Sequence, residues 1–235
     1  MINREDVQTF IFVHDQNIIL SYEEEKIFKN IEYTYVFLGT GKTDMLFNIK
    51  NIIYAKDLPY NLENYPKMCS YSGWYVLFKN NLITAKYVNL FEYDIILSND
   101  FMDKLVLNID DKTDYYGYIQ IGLNSCFLYN EIQFGELSKY YPNLQLNIIN
   151  KSKEKNIDVW CVTSNVTMKR EFFYKYMSDS EDFFYWVKAA PRAGHELERC
   201  LSVYHILNND IINVKYLDKE NALKHYYKNS HNIKY

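Results

Sequence analysis

Two carboxylates lie two residues apart near the end of an apolar stretch, in "KYVNLFEYDIIL" at residues 86–97. Burying Glu92 or Asp94 in an apolar strand is costly unless a partner compensates the charge. Side chains at positions i and i+2 of a strand point to the same face, so both carboxylates can reach one hard cation. Such a cation prefers oxygen ligands and bridges phosphates. The spacing therefore indicates a Mn²⁺ or Mg²⁺ site; the alternative is a solvated pair at an exposed strand end.

A second candidate for phosphate chemistry, Gly41-Lys42-Thr43 in "YVFLGTGKTD", has the wrong spacing. A nucleoside-triphosphate loop of this kind needs a glycine five positions before Gly41, because the intervening backbone N–H groups wrap the phosphates. That position is Val36, which lies within a β-branched and aromatic run that ends at Gly39. The motif is interpreted as a strand end followed by a glycine turn, which disfavours a nucleotide kinase.

Composition excludes several classes of protein. An apolar content of 48% in 235 residues excludes a disordered chain, and a net charge of −4 argues against a nucleic-acid partner. The N-terminus lacks an apolar signal-peptide core, and no apolar stretch approaches the roughly 20 residues that span a bilayer, so a cytoplasmic protein is predicted. The cysteines are far apart, which favours buried free thiols over a zinc site or a disulfide framework; they are Cys69, Cys126, Cys161 and Cys200.

Strand-like runs alternate with segments of helical spacing along the chain. The predicted helices are 66–80, 168–177 and 196–207, and the predicted strands are 10–13, 33–38, 52–55, 87–97, 116–123 and 158–162. This alternation predicts a single α/β domain with a mixed, mostly parallel sheet and helices on both faces. Ligands of such sheets bind beyond the carboxyl ends of the strands.

Two polar stretches, 108–114 and 150–156, are predicted to be loops within that domain. The first of them separates an N-terminal half, 1–107, from a C-terminal half, 108–235, that closes over a cleft.

Four segments carry a resemblance to a known family: "YNLENYPKMCSYSGWYVLFKN", "KYVNLFEYDIIL", "WCVTSNVTMKREFF" and "AGHELERCLSVYHIL". In this order they resemble small GT-A-fold glycosyltransferases, particularly those encoded by large DNA viruses and their bacterial relatives. In that pattern a helix with Ser-Gly-Trp-Tyr precedes the acid-x-acid strand, and a Glu-Arg pair opens a late helix. Abundant Asn, Ile, Lys and Tyr, typical of an AT-rich genome, agree with a viral source, for which the location is the host cytoplasm.

The resemblance implies a metal-dependent transfer of a sugar from a nucleoside diphosphate sugar, with UDP favoured, to a hydroxyl of a glycan acceptor. Because Glu92 stands where the usual pattern has Asp, Asp94 is the expected direct ligand of the cation and Glu92 a ribose or water-mediated contact. Such enzymes commonly take a further metal ligand from near the C-terminus, where "HYYKNSHNIKY" offers His225 and His231. His231 is favoured because Asn229-Ser230 is typical of a turn.

An inverting transferase needs a general base for the acceptor hydroxyl, and "PRAGHELER" supplies Glu196 and Glu198. The two lie about 200° apart around a helix, so only one can face the cleft. Glu198 is predicted, because it belongs to the Glu-Arg pair; a retaining reaction would need neither. The alternative for both is stabilisation of the first helical turn.

Further contacts to the nucleotide sugar are predicted at strand ends and in the helix before the acidic strand. These residues are His14, Asp15, Gly39, Ser72, Tyr93 and Asn165. A catalytically silent α/β module whose tyrosine-rich surface binds glycans or a protein is the competing hypothesis. The sugar, the acceptor and the oligomeric state stay open.

Overall fold

The computed structural model describes residues 2–28, 30–118, 120–122, 135–157, 159–161, 164–217 and 223–225. Its strands are β1 (Val7–Val13), β2 (Thr34–Phe37), β3 (Ile52–Tyr54), β4 (Tyr87–Glu92), β5 (Ile95–Leu97), β6 (Tyr115–Gly117), β7 (Gln120–Gly122), β8 (Val159–Cys161), β9 (Val166–Lys169), β10 (Val214–Tyr216) and β11 (Leu223–His225). Its α-helices are α1 (Gln16–Glu25), α2 (Ser70–Lys79), α3 (Phe101–Asn108), α4 (Gly135–Tyr140), α5 (Leu144–Lys155), α6 (Arg170–Val187) and α7 (Ala193–Leu207). No helix in these ranges has the length and apolar character needed to cross a membrane.

Seven strands form one sheet in the order β10-β6-β9-β4-β1-β2-β3. Within it β1 runs parallel to β2 and β4, β2 runs parallel to β3, and β10 runs parallel to β6. Among the described strands of this sheet, only β9, between β4 and β6, is antiparallel to its neighbours. The predicted single α/β domain with a mixed, mostly parallel sheet is confirmed, and strands from both sides of residue 107 contribute to the sheet.

Side chains of β1 alternate between two apolar cores, as expected for a strand that is covered on both faces. Phe10 and Phe12 belong to the core beneath α2, α6 and α7, whereas Ile11 and Val13 belong to the core beneath α1 and α3. The helices therefore lie on both faces of the sheet, as predicted.

Close packing of α2 on β1 explains the glycine of the Ser-Gly-Trp-Tyr segment. A Cβ atom on Gly73 would lie 2.4 Å from Cδ1 of Phe12, so only glycine permits this approach. The next residue, Trp74, is fully buried between α2 and α6. This packing brings the N-terminus of α2 over the carboxyl end of β1.

The predicted helix 66–80 is divided in two. A 3-10 turn, Pro66–Met68, precedes α2, and Cys69 between them has φ 53°, outside the helical region. The predicted helix 168–177 begins only at Arg170, because Val166–Lys169 pairs with both β4 and β6.

The prediction of a loop at 150–156 was wrong, because α5 extends to Lys155. Lys, Glu and Ser are compatible with an exposed helix. Leu144, Ile148 and Ser152 are buried at intervals of four residues, so a narrow apolar face is enough to hold this helix against the core.

The prediction of one strand over 87–97 was also wrong. β4 ends at Glu92, a turn follows at Tyr93 and Asp94, and β5 pairs antiparallel with β11 in a separate ladder. Beyond Leu90, β1 is the only described strand that still pairs with β4, as far as Glu92. Glu92 and Asp94 therefore do not share the face of one strand.

Candidate functional site

A cleft of about 550 Å³ lies at the carboxyl ends of β1, β2 and β4. Because these strands are parallel, the residues that follow them meet at one edge of the sheet. Six residues predicted from the sequence line this cleft: His14, Gly39, Ser72, Glu92, Tyr93 and Asp94. The N-terminus of α2 forms another wall of the cleft.

Glu92 is held from two sides. The hydroxyl of Ser70, in the first turn of α2, donates a hydrogen bond to Oε1 of Glu92 at 2.7 Å. The backbone N–H of Glu92 donates to Oδ1 of Asn165 at 2.8 Å. Asn165 is fully buried, so its amide supports the end of β4 and does not line the cleft.

Asp94 lies in the turn after β4 and is half-buried. Its Oδ1 is buried and makes no hydrogen bond within the part of the chain that the structure describes. Desolvation raises the pKa of this carboxyl group. A carboxylate in this state is stabilised by a proton or by a cation that enters the cleft.

The donor set fits a cation that is shared with a phosphate ligand. Among the described residues, no three His, Cys, Asp or Glu side chains converge on a point that could hold a metal ion. One or two carboxylates completed by phosphate oxygens and water are, however, the usual ligands of Mg²⁺ in nucleotide sites. Glu92 and Asp94 supply such carboxylates, and Asp94 has an oxygen that no described residue engages.

The C-terminal chain passes close to this turn. The backbone of His225 pairs with Ile95, the residue after Asp94, in the β5–β11 ladder. The side chain of His225 and all of His231 lie outside the described residues, so both remain predicted ligands only.

Electrostatics in the cleft are dominated by carboxylates. Glu63, Glu92 and Asp94 line it, whereas Lys67 is the one lysine or arginine among the described residues of its lining. A diphosphate placed among these groups would be repelled without additional positive charge.

Glu63 is the carboxylate that the sequence analysis missed. Its side chain is only 6% exposed, and Oε2 accepts a hydrogen bond from the backbone N–H of Gly39. Burial raises the pKa of Glu63, and the hydrogen bonds from Gly39 and Ser72 lower it by less. The segment "YNLENY" has no periodicity, so no pattern distinguishes this glutamate from a solvated loop residue.

His14 and Asp15 follow β1 but differ in what they contact. The rings of His14 and Tyr93 pack in a T-shaped arrangement with their centroids 5.0 Å apart, and this contact links the ends of β1 and β4. Oδ1 of Asp15 accepts a hydrogen bond from the backbone N–H of Asn17 at 2.9 Å and caps α1. Asp15 is not part of the cleft lining.

The two glutamates of α7 point in different directions, as the helical spacing predicts. Glu196 is 3% exposed, and its Oε2 accepts a hydrogen bond from the backbone N–H of Leu137 at 3.2 Å. The backbone N–H of Glu136 also stabilises this carboxylate, whose pKa burial raises. Glu196 therefore caps the start of α4 and lies away from the cleft.

Glu198 is not among the described residues of the cleft lining, but its charge acts on Cys69, which is. One turn earlier, Gly194 packs so closely that a Cβ atom there would lie 3.1 Å from Sγ of Cys69, a residue of the cleft wall. Partial desolvation, followed by the charges of Glu92 and Glu198, raises the pKa of the Cys69 thiol, and Lys67 opposes this. Cys69 is exposed, contrary to the expectation of buried thiols, whereas Cys200 is buried.

Comparison with known proteins gives a likeness in structure alone. No family model and no curated protein matches the chain. The apo structure of the bifunctional glycosyltransferase WbbM has a TM-score of 0.58 and 13% sequence identity over 90% of this chain and 44% of that one. The apo glycosyltransferase GlyE of Streptococcus pneumoniae TIGR4 is less similar, with a TM-score of 0.43 and 13% identity over 88% of this chain and 44% of that one.

The chain thus spans less than half the length of either structure. At this sequence identity, the likeness to WbbM establishes one point: the chain has a glycosyltransferase fold.

Proposed function

We propose that the protein is a metal-dependent glycosyltransferase that moves a sugar from a nucleoside diphosphate sugar, with UDP favoured, to a hydroxyl group of a glycan. The observation that carries the proposal is the position of Asp94. This residue lines a cleft at the carboxyl ends of parallel strands, on a glycosyltransferase fold, and one of its carboxylate oxygens is buried without a partner among the described residues.

Asp94 and Glu92 would hold Mn²⁺ or Mg²⁺ together with oxygens of the donor diphosphate. The ion would neutralise negative charge that develops on the departing nucleoside diphosphate. The hydrogen bond from Ser70 fixes one oxygen of Glu92, which agrees with a water-mediated or ribose contact for Glu92 and a direct one for Asp94.

Residues of the cleft wall would orient the donor. The described residues of the cleft lining all lie between positions 12 and 94, which supports assigning donor binding to the predicted half 1–107. Gly39 has φ 77° and no side chain, so the backbone at the end of β2 stays open to a ligand. His14 and Tyr93 would contact the nucleotide from the ends of β1 and β4.

Glu198 is the proposed general base of an inverting reaction. Its carboxylate would accept the proton of the acceptor hydroxyl while the hydroxyl oxygen bonds to the anomeric carbon and the bond to the diphosphate breaks. Its position in the half 108–235, on a helix that packs against Cys69 of the cleft wall, supports this role. If the reaction retains configuration, Glu198 is not needed as a base.

A binding module without catalytic activity is the second candidate, because several large aromatic side chains are exposed. Tyr60 is 56% exposed, Tyr185 43% and Trp186 54%. Aromatic residues of this kind are enriched in binding surfaces.

A thermal-shift screen of UDP, GDP, ADP and CDP, each with Mn²⁺ and with EDTA, separates the two candidates. A ligand at about 100 times its dissociation constant stabilises the folded state by roughly 2.7 kcal/mol. The transferase predicts a rise in melting temperature with at least one nucleotide in the presence of Mn²⁺ only. The absence of any nucleotide-dependent rise would reject the transferase and favour the binding module.

A further inference from the structure

We propose that Glu63 determines specificity at this site by accepting a hydrogen bond from the nucleoside of the bound nucleotide, from either a ribose hydroxyl or a base N–H. The inference rests on the proposed function, because it assumes that a nucleotide occupies the cleft. It assigns a role to a residue that the sequence pattern did not single out.

The side chain of Glu63 has an acceptor that the described chain leaves unused. Glu63 lines the cleft and is more than nine-tenths buried. One carboxylate oxygen accepts the N–H of Gly39, but the other, Oε1, is buried and makes no hydrogen bond with any described residue. A buried charged oxygen without a partner is costly, so a ligand that supplies a donor would be bound favourably.

The carboxylate of Glu63 complements a hydrogen-bond donor. An ionised carboxylate only accepts hydrogen bonds, and phosphate oxygens are also acceptors that carry negative charge. Glu63 would therefore repel the diphosphate and attract a group that donates. Within a nucleotide, such donors are the ribose hydroxyls and the N–H groups of the base.

Glu63 and Asp94 lie at different places along the edge of the sheet. Asp94 follows β4, whereas the partner of Glu63, Gly39, follows β2, and β1 lies between these two strands. Two strand spacings separate the two places by about 10 Å. A nucleotide whose diphosphate lies at Asp94 would extend its nucleoside across the end of β1 towards Glu63, away from the repulsion of the phosphates.

Neighbouring residues hold Glu63 in place. Oδ1 of Asn61 accepts the backbone N–H of Glu63 at 3.3 Å, and Nδ2 of Asn61 donates to the carbonyl of Leu58 at 2.8 Å. Ser72 of α2, whose hydroxyl donates to the carbonyl of Cys69 at 2.9 Å, lies beside the carboxylate and limits its movement. The acceptor is therefore positioned before a ligand arrives, as a specificity contact requires.

The test uses the full chain and the isosteric variant Glu63→Gln, with Glu24→Gln on the exposed face of α1 as the matched control. Isothermal titration in Mn²⁺ would measure UDP, GDP, their 2′-deoxy and 3′-deoxy analogues, and inorganic pyrophosphate. We expect Glu63→Gln to weaken the nucleoside diphosphates by about 10- to 100-fold, the usual loss for a hydrogen bond to a charged group, and to leave pyrophosphate unchanged. Glu24→Gln should match wild type throughout.

The analogues identify the donor. Suppose that a deoxy analogue binds the wild type more weakly than the parent nucleotide does, by the same factor that Glu63→Gln costs. If that analogue and the parent nucleotide bind Glu63→Gln equally well, the donor is the missing ribose hydroxyl. If Glu63→Gln still binds both deoxy analogues more weakly than the wild type does, and the size of this loss differs between UDP and GDP, the donor is the base.

Equal affinities of wild type and Glu63→Gln for every nucleotide would overturn this inference alone. An equal loss for pyrophosphate would also overturn it, because the effect would then be general damage to the cleft. Failure of the wild type to bind any nucleotide would overturn the proposed function as well.

Discussion

Acidic side chains in two regions of this molecule are in opposite states. In the cleft, Glu63 and Asp94 each have a buried oxygen without a partner in the described chain, and desolvation raises the pKa of both. In the loop between α3 and β6, Asp110 forms an ion pair with Lys215 and accepts a hydrogen bond from Thr113 at 2.9 Å. These contacts lower the pKa of Asp110.

The difference teaches where this fold places its function. A carboxylate surrounded by cations and donors is already satisfied and has nothing left to offer a ligand. A buried carboxylate without a partner destabilises the folded chain, and such arrangements persist mainly where a ligand uses them. Five predictions test this contrast, beginning with the largest expected effect.

Asp94→Asn is expected to abolish metal-dependent binding of a nucleoside diphosphate, because the amide keeps the volume of the side chain but not the charge that holds the cation. Isothermal titration of UDP and GDP in Mn²⁺ measures this effect. Wild-type affinity in the variant would remove Asp94 from the metal site.

The same variant should be more stable than the wild type at neutral pH. Because the pKa of Asp94 is raised in the folded state, its contribution to stability is present at low pH and is lost as the pH rises through that pKa. Urea unfolding at a series of pH values should therefore show the two proteins converging in acid. A variant that is less stable at neutral pH would contradict this assignment.

Glu198→Gln is expected to lower turnover by roughly 10²–10⁴-fold at saturating donor, the usual contribution of a general base, with little change in donor affinity. Glu196→Gln is the control within the same helix. Since Glu196 caps α4 and its side chain lies away from the cleft, this substitution should leave the chemical step intact.

A large loss of turnover in Glu196→Gln alone would mean that Glu196, and not Glu198, acts on the acceptor. Small kinetic effects in both variants would favour a retaining reaction.

His205 tests the contrast in the second region. It is 8% exposed beside a second cavity, lies 5.8 Å from the ring of Tyr115, and burial lowers its pKa to about 4. Its neutral form is favoured by folding, so stability is full above the ordinary pKa of histidine and falls as the pH drops towards 4. Between pH 7 and pH 4, the free energy of unfolding of the wild type should fall by up to about 3 kcal/mol more than that of His205→Phe.

Urea unfolding at pH 7 and pH 4 measures that loss. Parallel pH dependence of wild type and variant would show that His205 titrates normally in the folded protein.

Asp110→Asn should have the smallest effect. An ion pair at the surface contributes less than about 1 kcal/mol, and salt screens it. Unfolding in low and high salt should show a small difference that shrinks as salt rises, with no change in nucleotide binding. A loss of nucleotide binding would break the contrast between the two regions.

The sequence predicted a ligand site at the carboxyl ends of parallel strands, and the cleft lies there. His14, Gly39 and Glu92 follow or end parallel strands, and the carboxyl ends of such strands share one edge of a sheet. Glu63 was missed because its burial comes from tertiary contacts with Gly39 and Ser72, which leave no local pattern.

Short and polar elements were missed for a related reason. β9, β10 and β11 have three or four residues each, too few for a periodic signal, and they form only by pairing with distant strands. Most residues of α5 are polar, and its buried face is too narrow to give a clear helical pattern of apolar residues.

The most direct test of the account is the release of nucleoside diphosphate from UDP- and GDP-linked sugars, measured for the wild type and for Asp94→Asn in Mn²⁺ and in EDTA. We expect release by the wild type in Mn²⁺ with at least one donor, and none in EDTA or with the variant. Equal release in EDTA, or by Asp94→Asn, would contradict the proposed role of the cleft carboxylates. Failure of the wild type to release nucleotide from any donor would contradict glycosyl transfer itself.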